Sequence, residues 1–296
     1  MSHDTGATPL TLAQQASLAG ARLFFGTFTG ILRLVRGSPP NGWRTVRYGL
    51  HREEILDIRE GNGTHKPVVF FHGGGWMMGT KDFYSHDLMF LTDAGHPVFK
   101  VESPKAPEHP HPQPLRAVLK ALAFVRGEAE AVHVMGDSAG GNLAIMAGVL
   151  AQNPDLIAHV DPTFDPKTLP TILSATSIYG VLDRASCMNT KVPGGDTMLE
   201  AYGGPNALLE RVDPKYAITP MDLVFTTHPP CLLTCGEYDP IFESTQVYHQ
   251  HLHTAGHEVQ VKIYPGATHG YFNFPDGETK RQSQQDIVAF LNAIEG

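Results

Sequence analysis

The sequence predicts one large α/β domain, a mostly parallel sheet with helices on both faces. Three observations carry this. Short apolar runs of strand character alternate with segments whose apolar residues recur at helical spacing, the pattern of strand–helix–strand crossovers. The run Pro67–Phe71 is apolar without a break, as a strand buried on both faces requires. The chain has 296 residues, 42% hydrophobic and 18% charged, which fills a sizeable core and leaves too little charge for a disordered or coiled-coil protein.

Taken in order, Leu10 to Val35 reads as one amphipathic helix or two. Arg44–Leu50 and Glu53–Arg59 read as two strands joined by a tight connection, and Pro67–Phe71 as a buried strand. Asp82–Ala94 is helical in content, and Pro97–Val101 is the next strand. Leu115, Val118, Leu119, Leu122 and Val125 recur at helical spacing. Ala131–Met135 is a short strand, followed by a helix from about Asn142 to Gln152. Thr171–Tyr179 and Pro230–Cys235 are further central strands. Val259, Val261 and Ile263 alternate with Gln260 and Lys262, which marks a half-exposed strand. Ile287, Phe290, Leu291 and Ile294 define a closing helix. Residues 1 to about 43 and about 180 to 227 stand outside the alternation and read as lids over the carboxyl ends of the strands, where open parallel sheets bind ligands.

Composition excludes several functions. Lys and Arg total 22 against 30 Asp and Glu, a net charge of −8, so neither nucleic acid nor an anionic membrane is the expected partner. No run reaches the 18 or so uninterrupted apolar residues of a membrane span. The N-terminal stretch is broken by Gln14, Gln15, Arg22 and Arg33 and lacks a basic leader, so it is read neither as a span nor as a signal peptide. A peripheral membrane helix, with Phe24, Phe25, Phe28 and Leu32 as its apolar residues, is the secondary reading of it. Three cysteines, Cys187, Cys231 and Cys235, make neither a disulfide framework nor a CxxC pair, which points to a reducing, cytoplasmic compartment.

The strongest chemical signal is Gly136-Asp137-Ser138-Ala139-Gly140-Gly141, set between a strand and a helix. A GxSxG at such a junction is a nucleophile elbow, a turn so tight that the positions two before and two after the serine have no room for a side chain. The second signal is His72-Gly73-Gly74-Gly75-Trp76, directly after the buried strand. Backbone N–H groups from Gly73, Gly74 and Gly75, two of the three, together with that of Ala139, are placed to hold an oxyanion. His72 is expected to brace this loop and not to act as a base. Neither glycine-rich nucleotide motif is present.

A hydroxyl nucleophile needs a base, and the base needs an orienting carboxylate. Asp239 follows the strand Pro230–Cys235, and His269 follows the strand Glu258–Tyr264. Both therefore fall at the carboxyl ends of strands, as Ser138 does, and the expected triad is Ser138, His269 and Asp239. Glu237 is the competing carboxylate. His249 and His253 share a helix face without a further metal-ligand pattern and read as solvated, so no metal is expected. His109 and His111 read as structural. Met77, Met78, Phe24, Phe28, Tyr179 and Tyr271 are candidates for an apolar pocket or for core.

With these residues in place, the chain resembles the hormone-sensitive-lipase-like bacterial carboxylesterases of the α/β-hydrolase fold. HGGGW at 72–76 and GDSAGG at 136–141 are similar to that group's two signatures, and Ala106-Pro107-Glu108-His109-Pro110, Asp213-Pro214, Asp239-Pro240 and Gly266-Ala267-Thr268-His269 are similar to its later landmarks. The match spans about residues 66 to 295. The resemblance implies an eight-stranded, mostly parallel sheet under a helical cap, and hydrolysis of short- to medium-chain acyl esters as small-molecule substrates with no cofactor. The chain departs from the pattern in keeping a single acid, Glu243, after Asp239-Pro240, and in placing Ser103-Pro104-Lys105 before Ala106. Gly79-Thr80-Lys81-Asp82 also resembles kynurenine formamidases of the same fold, which makes an arylformamidase the alternative. A non-catalytic binding protein on this scaffold is the remote one. The half-exposed strand near the C-terminus and the last helix are candidate homodimer surfaces.

Overall fold

A computed structural model describes residues 11–188, 194–204, 207–208, 213–275 and 277–296. It opens with one continuous helix, α1 (Leu12–Arg36), started by a capping box in which Thr11 and Gln14 exchange hydrogen bonds. A hairpin follows, β1 (Arg44–Arg47) and β2 (Ile55–Arg59), then β3 (Val68–Phe71), α2 (Met89–Asp93), β4 (Val98–Val101) and α3 (Gln113–Arg126). Next come β5 (Ala131–Asp137), α4 (Ala139–Gln152), α5 (Ile157–Val160), β6 (Thr171–Ile178), α6 (Arg184–Met188) and α7 (Gly195–Gly203). The chain closes with β7 (Cys231–Gly236), α8 (Phe242–Thr254), β8 (Val259–Tyr264) and α9 (Glu278–Glu295).

The eight strands lie in the order β1-β2-β4-β3-β5-β6-β7-β8. The β1–β2 and β2–β4 pairs are antiparallel, and every pair from β4 to β8 is parallel. Successive side chains of β3 enter opposite layers. Val69 and Phe71 pack with α3 and α4, whereas Val68 and Phe70 pack with α2 and α9. All four are buried, which accounts for the unbroken apolar run.

One helical segment is broken in two, and one helix starts earlier than expected. Asp82–Ala94 is not one helix but a 3-10 turn, Lys81–Tyr84, followed by the short α2. Between them Asp87 is buried against Arg36 and Lys280, and turning it inward interrupts the helix. The helix after β5 begins at Ala139, not near Asn142, because the turn at Ser138 leads straight into it.

The two segments outside the alternation hold α1, α6 and α7. By length and composition α1 is the one described helix able to cross a membrane. Its placement is that of a packed helix: Leu18 and Leu32 are buried, Arg22 pairs with Glu108 at 2.8 Å, and Arg36 pairs with Asp87 at 2.9 Å. Leu32 and the half-buried Phe25 and Phe28 therefore face the body of the protein, contrary to the reading that would turn them to a membrane, while the Phe24 side chain lies outside the described residues.

Candidate active site

The elbow follows from backbone geometry. Ser138 sits between β5 and α4 at φ 52° and ψ −120°, a region costly for any residue with a side chain. A Cβ at Gly136 would collide with the Gly140 carbonyl, and one at Gly140 with the Phe71 carbonyl, so only glycine lets the turn close. Ser138 N–H donates to the Ile178 carbonyl at 2.8 Å, which fixes the turn to β6.

The sheet brings the other candidates to the same end. His269, beyond β8, lies with Nε2 3.0 Å from Ser138 Oγ and Nδ1 2.8 Å from Asp239 Oδ2. Asp239 is buried and accepts a second hydrogen bond from Ile241 N–H at 2.9 Å, so its carboxylate is held rigidly behind the imidazole. Glu237 does not reach His269. Its carboxylate accepts from Gly266 N–H at 2.9 Å and braces the loop that carries the histidine. The Tyr179 ring lies 4.7 Å from that of His269, and its hydroxyl donates to Asn273 Oδ1 at 3.1 Å, so the imidazole is walled on one side.

The glycine loop leaves two of its three N–H groups open. Gly73 N–H is not directed to a ligand, because it donates to Asp137 Oδ1 at 2.7 Å. Gly74 and Gly75, at φ 117° and 58°, line the cavity in front of Ser138, and among the described residues their N–H groups and that of Ala139 have no protein partner. His72 braces the loop, its Nδ1 2.7 Å from the Gly73 carbonyl and its Nε2 3.0 Å from Glu102 Oε1. Asp137, beside the serine, was not singled out from sequence. It is buried, accepts from Tyr84 OH at 2.9 Å as well as from Gly73, and has its pKa pushed up to about 6 because burial outweighs those hydrogen bonds. Its place inside the elbow motif was the available signal.

The cavity over Ser138 holds about 400 Å³ and is mainly apolar, with Phe25 and Phe28 of α1, Met78, Val181, Met198 of α7 and Phe274 in its wall. Of the proposed lining residues Met78, Phe28 and Tyr179 reach it, whereas Met77 is in the core and the Tyr271 hydroxyl is spent on Thr234. Trp76, missed from sequence as a connector, stacks on Tyr202 of α7 with ring centroids 4.4 Å apart and so ties the glycine loop to α7.

A second histidine group lies at the amino ends of the strands. His65, His96 and Glu295 place one ligand atom each within 4.8 Å of one another. The two imidazoles are stacked at 28°, so an ion in the plane of one lies off the plane of the other. Burial opposes ionisation of Glu295, but Lys66 N–H, His65 and His133 outweigh it and hold its pKa low, which makes the group a tether for the end of α9. His249 and His253 lie on the outer side of α8, and His111 is half-buried, with its backbone N–H donating to the Tyr202 carbonyl at 2.7 Å.

This sheet order, with a serine elbow after β5 and an imidazole after β8, defines an α/β hydrolase. Residues 68–273 match the sequence profile of a family described as alpha/beta hydrolase fold, and the chain belongs to that family, the carboxylesterase group its glycine motifs resemble. It is 30% identical over 250 residues to an ethyl acetate hydrolase of Pseudomonas putida, 77% of this chain and 72% of that protein. It is 28% identical over 220 residues to the carboxylesterase NlhH of Mycobacterium tuberculosis, 70% of this chain and 66% of that protein. Among solved structures, esterase B of Lactobacillus rhamnosis superposes with a TM-score of 0.81 at 16% identity, covering 96% of both chains. A Pyrobaculum calidifontis esterase gives 0.75 at 22% identity, covering 97% of this chain and 99% of its own, a likeness of fold.

Proposed function

We propose that this chain is a serine carboxylesterase that hydrolyses short- to medium-chain acyl esters through an acyl-enzyme, with Ser138, His269 and Asp239 as its triad. The continuous hydrogen-bond line Asp239–His269–Ser138, opening on an apolar cavity, carries the reading. His269 Nε2 takes the hydroxyl proton as Ser138 Oγ attacks the ester carbonyl, and Asp239 holds the Nδ1–H tautomer and balances the imidazolium. The carbonyl oxygen, now an oxyanion, accepts from the N–H groups of Gly74, Gly75 and Ala139, each donor worth about 3 kcal/mol in the transition state. His269 returns its proton to the departing alcohol. Water then enters by the same path, and the acid leaves. No metal or cofactor takes part in these steps.

In this reading α1, α6 and α7, within residues 1 to about 43 and about 180 to 227, form the cap of a single α/β-hydrolase domain. The apolar wall they supply suits an acyl or alkoxy chain of modest length, given about 400 Å³. The formamidase-like run gives the alternative no support, since Lys81 is buried in an ion pair with Asp57 and does not line the cavity over Ser138. Three buried cysteines, none in a disulfide, suit a reducing cytoplasm. Pairing of two copies through β8, an edge strand of the sheet, and α9 belongs to the same proposal, and sedimentation velocity tests it.

The deciding experiment is a chain-length series of p-nitrophenyl esters with wild type and Ser138→Ala, beside N-formylkynurenine. Loss of at least about 10³-fold in the variant is expected. Turnover within tenfold of wild type ends the scheme, and preference for the formamide reassigns the substrate. A fluorophosphonate that fails to label Ser138 in folded protein favours a non-catalytic binder.

A further inference from the structure

The outer face of α1 has no work in the hydrolase. A helix packed against a domain normally turns polar residues to water, and one that is apolar on both sides is covered on both. The inner side of α1 carries Leu18 and Leu32 in the core and Phe25 and Phe28 in the cavity wall. The outer side is apolar as well: Leu12 is 85% exposed, Leu23 73%, Ile31 57%, Leu34 85% and Val35 68%. Leu12, Leu23 and Leu34 recur at intervals of about three helical turns and so fall on one line. Small residues fill the spaces between them, and a Cβ at Gly20, Gly26 or Gly30 would meet nothing within 4 Å.

We propose that this face seats the protein on a zwitterionic phospholipid surface, with α1 lying in the plane of the interface. Charge supports that occupant. The helix carries three arginines and no acid in a chain of net charge −8. Arg22 is neutralised by Glu108 and Arg36 by Asp87. Arg33, on the flank of the apolar line, hydrogen-bonds only to Thr80 Oγ1 at 3.1 Å and has no carboxylate partner among the described residues. It opens on a cavity of about 550 Å³ whose wall also holds Arg36 and Lys100 and the carboxylates of Asp57 and Asp82, a mixed lining that suits a headgroup carrying both signs of charge. The acidic remainder of the chain opposes a strongly anionic surface. The two ion pairs and the buried Leu18 and Leu32 hold the helix to the body, so it lies on the bilayer and does not cross it. Because the opposite side of the same helix lines the cavity over Ser138, this pose sets the cavity rim at the layer in which apolar esters dissolve.

The test is co-sedimentation of the full chain with phosphatidylcholine vesicles, which reads binding without turnover and so stands apart from the esterase proposal. Wild type is expected to pellet with the vesicles. The Leu23→Glu/Leu34→Glu double variant is expected to bind at least tenfold more weakly, and Arg33→Gln several-fold more weakly. Hydrolysis of dissolved p-nitrophenyl acetate by both should stay within twofold of wild type. Wild type left in the supernatant at millimolar lipid overturns the proposal, as does equal binding by the double variant or binding confined to phosphatidylglycerol vesicles. A wild-type dimer that the double variant converts to monomer, with no vesicle binding, gives the face to a second copy instead.

Discussion

Gly73 N–H donates to the Asp137 carboxylate at 2.7 Å, so the residue beside the elbow serine holds the loop that presents Gly74 and Gly75. The two glycine motifs, 64 residues apart in sequence, are thereby one unit. The bond spends one loop N–H to fix the direction of the next two. Asp137→Ala is expected to lower kcat for p-nitrophenyl butyrate by about 10²-fold, the cost of misplacing oxyanion donors. KM should change far less. A change confined to KM would assign Asp137 to the substrate cavity.

Burial also makes Asp137 a source of pH dependence. Its folded pKa, about 6, stands above its ordinary value of 3.8, so it favours folding while protonated. That contribution is full below about pH 3.8 and is lost as pH rises through 6, on the order of 3 kcal/mol in all. Asp137→Asn removes the titration. The stability of the variant relative to wild type, from urea melts, should therefore rise between pH 4 and pH 7. A constant difference would mean that Asp137 stays ionised throughout.

Asp239 and Glu237 are two residues apart, and only Asp239 touches His269. Asp239→Asn, which favours the wrong imidazole tautomer, is expected to cut kcat by about 10⁴-fold. Glu237→Gln keeps an acceptor for Gly266 N–H and should stay within about threefold of wild type, the range of a second-rank loop contact. Steady-state kinetics on one ester decides both.

At Gly140 an added methyl group meets backbone, not a movable side chain. Gly140→Ala is expected to cost at least about 4 kcal/mol or to prevent folding, read by thermal denaturation and near-ultraviolet circular dichroism. At Gly75 the obstacle is the Met198 sulfur, 2.7 Å from the added Cβ, on a backbone at φ 58°. Gly75→Ala should remain folded and lose activity, and Met198→Ala in the same chain should restore only the part due to the clash, since the backbone strain remains.

Trp76 and Tyr202 stack nearly parallel, 2° apart, between the glycine loop and α7. Trp76→Ala is expected to raise KM for hexanoate and octanoate esters several-fold more than for acetate, because α7 supplies Met198 to the apolar wall. An equal change across the series would place the effect in the glycine loop alone.

The sequence by itself determined the strands, because an apolar run such as Pro67–Phe71 must be buried wherever it sits, and the elbow, because only glycine fits at 136 and 140. It also put Asp239, Glu237 and His269 just past readable strands, at the same end of the sheet as Ser138. Tertiary structure decided what depends on distances between segments remote in sequence. Whether Glu237 or Asp239 meets His269 is set by the direction in which the chain leaves β7, which composition does not encode. Whether Gly73 N–H faces a ligand or Asp137 is set by the register of β3 on β5. The meeting of His65, His96 and Glu295 depends on where α9 ends against the sheet. The break at Asp87 depends on Arg36 and Lys280 arriving from opposite ends of the chain. Local pattern fixes which backbone conformations are affordable, whereas the partners of a polar group are fixed only when the sheet has brought distant segments within about 3 Å of it.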